Sequence, residues 1–246
     1  MPKKRLDVLL VERGLAESRA QAQALVLAGL VKGHAKAGEQ VDETAELEVE
    51  EGPRFVSRGG EKLSRALEAL GIDVTDEDCL DVGASTGGFT DCLLQEGAAR
   101  VCALDVGYGQ LHPKLRGDPR VTVLERTNVR NLRCDELPFR PTVVTCDVSF
   151  IGLAKALPPA LACAAPGWRA LVLVKPQFEA GPKEVGKGGV VRDEEVRRRV
   201  VDEVAAQAPA WGARVEAAVD SGLPGPKGNR EVFLYLHDAE REPAAG

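Results

Sequence analysis

The sequence predicts an α/β fold: a small α+β domain, then a mostly parallel, seven-stranded sheet with helices on both faces. From residue 79 onward, short segments that are apolar on both faces alternate with segments of helical period, as in doubly wound sheets. Gly52 and Pro53 interrupt the pattern before that and indicate a linker. We therefore expect domains at residues 1–52 and 59–246, joined by residues 53–58.

The first domain is predicted to hold two helices and a small hairpin-like sheet. Leucines at helical spacing indicate a first helix over residues 5–13. Ser18 is typical of the N-cap of a second helix, which ends at Gly29. Two short strands are predicted, at residues 30–33 and 47–51. The second segment alternates apolar and acidic residues, as a half-exposed strand does.

The second domain is predicted to alternate strands and helices. Its strands are short apolar runs, at residues 79–83, 100–106, 121–125, 142–148, 169–175, 214–220 and 231–237. Helices are predicted at residues 61–70, 88–97, 151–164 and 194–208, with a short one after the second strand. Two adjacent strands at the end suggest that the last strand is antiparallel. Residues 176–192 are rich in Gly and Lys without a period, and we expect a functional loop that is mobile until RNA binds.

Composition excludes several classes of protein. Hydrophobic residues make up 44% and charged residues 28% of the chain, which is ordinary for a globular protein. No apolar run approaches the ~20 residues that span a bilayer. The cysteines form no C-x-x-C pair, so no zinc site is expected. We expect reduced thiols in or near the core of a cytoplasmic protein, at Cys79, Cys92, Cys102, Cys134, Cys146 and Cys163.

Basic charge is concentrated at the start of the chain, although the net charge is −6. Residues 1–36 carry seven Lys or Arg against three acids, whereas residues 37–52 carry seven acids and no base. A net acidic charge argues weakly against nucleic-acid binding, but the distribution of charge is more informative than its sum.

A glycine-rich turn follows the strand at 79–83 and leads into a helix. Its string G-A-S-T-G-G fits G-x-x-x-G-G better than the dinucleotide fingerprint G-x-G-x-x-G. That spacing favours S-adenosylmethionine over a dinucleotide, and a purely structural turn is the alternative. The turn and the following strand ends supply the residues that we expect around the cofactor: Asp81, Gly83, Ala84, Ser85, Gly87, Gly88, Phe89, Asp105, Val106, Asn128 and Val129.

Four further polar residues are candidates for chemistry: Lys62, Asp147, Lys175 and Glu231. Five apolar residues lead directly into Lys175, so its side chain should be partly desolvated. Desolvation and a second cation, Lys62, would both favour a neutral amine that can accept a proton from a hydroxyl. Asp147 and Glu231 would orient the two amines. Two ordinary ion pairs at strand ends are the alternative.

These four residues and DVGASTGGFT resemble the Lys-Asp-Lys-Glu tetrad and glycine turn of the FtsJ-like ribose 2′-O-methyltransferases. The chain is most similar to one branch, the TlyA or hemolysin A family, from about Arg5 to about Leu236. The similar blocks are VSRGGEKL, LDVGASTGGFTD, ALDVGYGQL, LERTNVRNL, DVSFI, LVKPQFEAG, GKGGVVRD and LPGPKGNREVFLYL. The first domain resembles the RNA-binding domain named after ribosomal protein S-four, although His34-Ala35-Lys36 replaces its usual polar turn.

The resemblance implies a Rossmann-like, S-adenosylmethionine-dependent methyltransferase in the cytoplasm of a bacterium, with no metal. Its substrate would be the 2′-hydroxyl of cytidine in ribosomal RNA of one or both subunits, and its oligomeric state stays open. The residues expected to contact RNA are Lys3, Lys4, Arg5, Arg19, Lys32, Arg58, Lys183 and Lys187. Three alternatives remain: a non-catalytic RNA-binding factor, a membrane-lytic hemolysin, and a dinucleotide-dependent oxidoreductase.

Overall fold

The computed structural model describes residues 2–225 and 227–240, and the chain divides into two compact units, one reaching Arg54 and one beginning at Phe55. The first unit contains helices α1 (Leu6–Glu12) and α2 (Arg19–Leu27). The Ser18 hydroxyl accepts a hydrogen bond from the Gln21 backbone nitrogen at 3.2 Å, which confirms the predicted N-cap. Buried leucines and valines of both helices form the core of this unit.

The sheet of the first unit differs from the prediction. Its regular strands are β1 (Lys3–Arg5) and β2 (Gln40–Asp42), which pair antiparallel. The two predicted strands meet only in one antiparallel bridge, between Val31 and Val49. Strands β1 and β2 are three residues long and mostly polar, so they carry no apolar alternation by which a sequence pattern could reveal them.

The second unit contains a seven-stranded sheet in the order β5-β4-β3-β6-β7-β9-β8. The strands are β3 (Asp78–Val82), β4 (Arg100–Leu104), β5 (Val121–Leu124), β6 (Val143–Cys146), β7 (Arg169–Val174), β8 (Ala213–Asp220) and β9 (Val232–Asp238). Strand β9 is antiparallel to both its neighbours, β7 and β8, and the other pairs are parallel. The predicted fold class and the antiparallel last strand are therefore confirmed.

Helices cover both faces of this sheet, as predicted. They are α3 (Arg58–Leu70), α4 (Gly88–Gln95), α5 (Pro113–Arg116), α6 (Leu153–Ala162), α7 (Pro176–Glu179) and α8 (Glu194–Ala205), with 3-10 turns at Val129–Asn131, Cys134–Glu136 and Ala208–Trp211. Leu63 and Phe89 of α3 and α4 belong to one apolar core, and Leu157 and Val204 of α6 and α8 belong to another. The sheet lies between these two cores. No helix of residues 2–225 and 227–240 is long and apolar enough to cross a membrane.

Two local predictions differ from the structure. Residues 55–58 do not form a free linker, because Phe55 is buried in the core with α3 and α4, and α3 already begins at Arg58. Residues 176–192 are not wholly irregular: α7 occupies their start, and a bridge joins Gly186 to Val190. The mobility of this loop without RNA stays a prediction.

The cysteines are not all reduced thiols. Cys134 and Cys163 form a disulfide, with their Cα atoms 4.9 Å apart. They are 29 residues apart in sequence, and the fold brings them together because Cys134 opens a 3-10 turn beside the end of α6. The other four cysteines are buried, as expected.

Candidate active site

Two cavities lie beyond the carboxyl ends of the central strands. Strand β3 pairs with β4 on one side and with β6 on the other, so the chain order of the sheet reverses at β3. Ligands of open α/β sheets bind at such a reversal. The larger cavity has a volume of about 640 Å³ and the smaller about 420 Å³. They share the lining residues Gly83, Ser85, Asp147 and Ser149, so they adjoin.

The larger cavity contains most of the strand-end residues that the sequence assigns to the cofactor. These lining residues are Gly83, Ser85, Asp105, Val106, Asn128 and Val129. The Asp105 carboxylate accepts hydrogen bonds from the Ser85 and Gly107 backbone nitrogens, at 2.7 and 2.6 Å. The Asn128 Oδ1 accepts from the Arg130 backbone nitrogen at 3.1 Å, which leaves the amide NH₂ group to donate to a ligand.

The glycine turn needs glycine for two different reasons. Gly83 has φ +84°, and a Cβ at this position would lie 2.7 Å from the backbone oxygen of Asp147, in the wall of both cavities. Gly87 has φ +95°, and its Cβ would meet Leu115 at 2.3 Å. Gly87 is not among the described residues that line either cavity, and its positive φ shapes the turn, so its contact with the cofactor stays a prediction.

The turn also approaches the start of α3 very closely. A Cβ on Gly60 would lie 2.9 Å from the backbone oxygen of Gly88 and 2.4 Å from Cγ of Phe55. A Cβ on Gly88 would lie 2.9 Å from the backbone nitrogen of Gly60. Distances below 3.0 Å leave no room for a side chain, so the two backbones pack directly on each other. Lys62 stands two residues after this contact.

The Asp81 carboxylate also lies outside both cavities, away from the other predicted cofactor residues. It is fully buried and accepts hydrogen bonds from the hydroxyls of Thr90, at 2.7 Å, and Thr145, at 3.1 Å. Burial raises the pKa of Asp81 to about 7, and the two threonine hydrogen bonds oppose that rise. Asp81 therefore anchors α4 and β6 beneath the turn and does not face a ligand. The remaining predicted residues Ala84, Gly88 and Phe89 line the smaller cavity.

All four candidate catalytic residues line the smaller cavity, and they form two lysine–carboxylate pairs. Lys62 Nζ lies 2.5 Å from Glu231 Oε2, and we call this the sealed pair because its side chains are only 8% and 1% exposed. Lys175 Nζ lies 2.5 Å from Asp147 Oδ1, and we call this the open pair because its side chains are 12% and 24% exposed. Although the two atoms are this close, Asp147 Oδ1 accepts no well-angled hydrogen bond from the described residues.

Two residues that the sequence did not single out contact these pairs. Lys175 Nζ donates a hydrogen bond to the hydroxyl of Ser149 at 3.0 Å, and Ser149 lines both cavities. Gln177 donates from Nε2 to Glu231 Oε1 at 3.4 Å. Serine and glutamine are common surface residues, so only their place after the ends of β6 and β7 distinguishes them in the sequence.

An exposed aromatic ring stands at the rim of the larger cavity. Phe150 is 92% exposed and has φ +65°, which is unusual for a residue with a large side chain. Its ring centroid lies 5.1 Å from that of Phe178. Exposed aromatic side chains are the groups on which unpaired RNA bases stack.

The residues predicted to contact RNA differ in their surroundings. Arg58 lines the smaller cavity and donates to the backbone oxygen of Pro224 at 2.6 Å. In the first unit, Lys4 pairs with Glu12 at 2.8 Å and Lys32 with Glu48 at 2.7 Å, so acidic neighbours partly neutralise these lysines. Three predicted lysines, Lys3, Lys183 and Lys187, are exposed. Within residues 2–225 and 227–240, no cluster of three His, Cys, Asp or Glu is placed to hold a metal ion.

Comparisons with known proteins agree with this geometry. A family model for FtsJ-like methyltransferases matches residues 55–237, and a model for the S4 domain matches residues 4–32. The 16S/23S rRNA (cytidine-2′-O)-methyltransferase TlyA of Mycobacterium tuberculosis is 49% identical over 238 residues, covering 94% of this chain and 89% of that protein. Hemolysin A of Brachyspira hyodysenteriae is 40% identical over 241 residues, covering 94% and 99%. The structure of a Streptococcus thermophilus protein described as a hemolysin has a TM-score of 0.75 at 42% identity, covering 98% and 90%.

Proposed function

The chain belongs to the FtsJ-like methyltransferase family, in its TlyA branch, and from that premise we propose that it methylates the 2′-hydroxyl of cytidine in ribosomal RNA of one or both subunits. The observation that carries this proposal is the pairing of two lysines with two carboxylates where two cavities adjoin. The larger cavity would hold S-adenosylmethionine and the smaller the ribose. The proposed substrate implies that the enzyme works beside ribosomes, in the cytoplasm.

The larger cavity fits S-adenosylmethionine in size and chemistry. Its volume of about 640 Å³ lies within the usual range for ligand pockets. The Asp105 carboxylate has lone pairs beyond those used by Ser85 and Gly107, and these would accept the ribose hydroxyls. The Asn128 amide would donate to the adenine edge, and Gly83 lets the backbone approach closely. When bound, this cofactor supplies a methyl group on a sulfonium.

Lys175 is the residue that we assign to proton transfer. A ribose hydroxyl is a poor nucleophile until it loses its proton, and a neutral amine within reach can accept that proton. Asp147 contacts Nζ and Ser149 accepts a hydrogen bond from it, so the two residues would hold the amine at the wall of the smaller cavity, within reach of a substrate hydroxyl. As a general base, the Lys175 amine must be neutral at the start of each turnover so that it can accept the proton of the ribose hydroxyl.

Lys62 is assigned to electrostatics. It lines the same cavity as Lys175, and its positive charge would stabilise an alkoxide as it forms. Glu231 holds Lys62 in place, and Gln177 holds Glu231 from the other oxygen. Phe150, at the rim, offers a ring on which the base of the target nucleotide would stack.

Mapping of ribose methylation across ribosomal RNA tests the proposal directly. Cells with the gene should carry cytidine 2′-O-methylation at defined sites, and cells without it should lack those marks. Purified protein with S-adenosylmethionine should restore the marks on subunits from the deleted strain. Identical methylation maps with and without the gene would contradict the proposal, and leakage of liposomes by the pure protein would favour a lytic role instead.

A further inference from the structure

A buried carboxylate joins two arginines in the first unit. Asp7 lies in the first turn of α1 and is fully buried. Its Oδ1 accepts from Nε of Arg5 at 3.0 Å, and its Oδ2 accepts from Nη2 of Arg5 at 2.9 Å and Nη2 of Arg19 at 3.0 Å. Gln23 adds a fourth hydrogen bond, from Nε2 to Oδ2 at 2.9 Å. These donors, Arg5 first, hold the pKa of the Asp7 carboxyl well below its usual range.

This arrangement keeps two positive charges side by side at the surface. Both Nη2 atoms contact the same oxygen, so their separation cannot exceed the sum of two hydrogen-bond lengths. The Arg5 and Arg19 side chains are nevertheless 45% and 57% exposed. Their bonds to Asp7 use a minority of the five N–H groups of each guanidinium, which leaves donors for an incoming anion.

The lysines of the same unit are arranged differently. The acids that pair with Lys4 and Lys32 are themselves exposed, so they compete with a phosphate for the same solvent-facing ammonium. The acid that serves Arg5 and Arg19 is beneath the surface, and its single negative charge is outnumbered by two positive ones. The arginine pair is therefore the better anion site.

We propose that Asp7 is a positioning residue that holds Arg5 and Arg19 as a two-arginine clamp for the RNA backbone phosphate. This inference rests on the proposed function, methylation of ribosomal RNA, and on the RNA contacts that the sequence predicts for the first unit. Guanidinium groups bind phosphate through paired, charge-assisted hydrogen bonds, and such bonds depend on orientation. Fixing both groups in advance avoids the entropy cost of ordering two long side chains when RNA arrives.

The substitution Asp7→Asn separates positioning from charge. It makes the first unit more positive, so charge alone predicts tighter RNA binding. The clamp predicts the opposite sign: affinity of the full-length protein for a ribosomal RNA transcript should fall by roughly tenfold, the loss expected when a charge-assisted contact is misplaced. Glu12→Gln is the matched control, because it removes an exposed acid that pairs with Lys4, and it should leave affinity unchanged or slightly raised.

A double-mutant cycle separates positioning from a merely structural role. In the background Arg5→Ala with Arg19→Ala, adding Asp7→Asn should have no further effect on RNA affinity. An equal loss in that background would mean that Asp7 only supports the fold, and would overturn the clamp. The clamp would also be overturned if Asp7→Asn bound RNA as tightly as Glu12→Gln. If the double-arginine variant itself binds RNA like the unaltered protein, the two arginines do not hold RNA and the clamp fails, whereas the proposed function fails only if the unaltered protein does not methylate ribosomal RNA.

A second variant covers the case in which Asp7→Asn does not fold. Arg19→Lys keeps the positive charge at an exposed position but loses the planar fork. The clamp predicts several-fold weaker RNA binding, with an unchanged melting temperature and unchanged calorimetric affinity for S-adenosylmethionine. Equal RNA affinity for lysine and arginine at position 19 would overturn the proposal.

Discussion

The sealed pair and the open pair contain the same two kinds of charge but differ in their access to solvent. Lys62 and Glu231 are almost wholly buried, so neither can exchange its partner for water. Asp147 is 24% exposed, and the Lys175 amine also contacts the exposed hydroxyl of Ser149. A buried ion pair is costly to break, whereas a partly solvated amine can change partners. We propose that the sealed pair fixes the charge of the site and that the open pair meets the substrate.

The largest effect should follow loss of the Lys175 amine. We expect Lys175→Ala to lower methyl transfer by about 10²–10⁴-fold, the usual contribution of a general base. Lys175→Arg should be equally inactive, because a guanidinium keeps its charge and cannot accept a proton in this range. Single-turnover transfer to ribosomal RNA at saturating cofactor measures both. Substantial turnover by Lys175→Arg would move the base to Lys62 and reverse our assignment of the two pairs.

Loss of Lys62 should lower the free energy of unfolding more than loss of Lys175, which is the reverse of the order expected for activity. Lys62→Met leaves the Glu231 charge buried without its cation, which typically costs about 3–5 kcal/mol. Lys175→Met should cost less, because Asp147 is 24% exposed and part of its carboxylate can be hydrated. Urea unfolding of both variants gives the comparison. The double variant Lys62→Met with Glu231→Gln should recover most of the loss, and equal destabilisation by Lys62→Met and Lys175→Met would erase the distinction between the pairs.

Asp81 can be compared with the two pairs, because its buried carboxylate contacts two threonine hydroxyls and, among the described residues, forms no ion pair. Its pKa is about 7 in the folded protein against an ordinary 3.8, so folding takes up a proton between these values. Stability from this group is present below pH 3.8 and is lost as the pH rises towards 7. Relative to Asp81→Asn, which does not titrate, the unaltered protein should lose on the order of 2–3 kcal/mol between pH 5 and 8. If the difference in the free energy of unfolding between the unaltered protein and Asp81→Asn does not change across this range, Asp81 is already ionised in the folded protein.

The affinity for the cofactor should depend on residues of the larger cavity and not on those of the smaller cavity. Asp105→Ala removes a charged acceptor from the larger cavity, and we expect S-adenosylmethionine to bind about 10–100-fold more weakly. Lys175→Ala, in the smaller cavity, should leave that affinity unchanged. Isothermal calorimetry measures both. Unaltered affinity in Asp105→Ala would remove this carboxylate from the cofactor site, and circular dichroism would show whether the turn held by its hydrogen bonds is intact.

The smallest effect concerns the hydroxyl beside the open pair. Ser149→Ala should lower the maximal rate by roughly tenfold, since one hydrogen bond to a charged group is lost. Ser149→Thr restores the hydroxyl and should restore the rate. A changed apparent affinity for RNA with an unchanged maximal rate would instead assign Ser149 to substrate binding.

The sequence reveals the elements whose pattern repeats. Apolar runs between helical segments predict every strand of the large sheet, because both faces of a covered parallel sheet exclude polar residues. The four lysine and carboxylate residues emerge from their places at strand ends and from a family resemblance. What stays hidden is the pairing: nothing along the chain says that Lys62 meets Glu231 and not Asp147.

Other features depend on contacts between distant segments. Asp81 and Asp105 both follow apolar residues, yet one points into the core and the other lines a cavity, because successive strand side chains alternate between faces and Asp105 stands just beyond its strand. Ser149 is notable only because it contacts Lys175, which directly follows β7, the strand next to β6 in the sheet. The disulfide between Cys134 and Cys163 likewise depends on where a turn and a helix end meet.

The backbone contact between Gly60 and Gly88 has a consequence for how this enzyme can evolve. Neither position accepts even a methyl group, and relief at one requires movement of the segment that carries the other. A side chain introduced at either position therefore cannot be compensated by a substitution at the other position, because the residue there is already glycine. In a library randomised at both positions and selected for activity, we expect the glycine pair alone to be recovered, whereas Gly109, with open space around its Cβ position, should tolerate Asn.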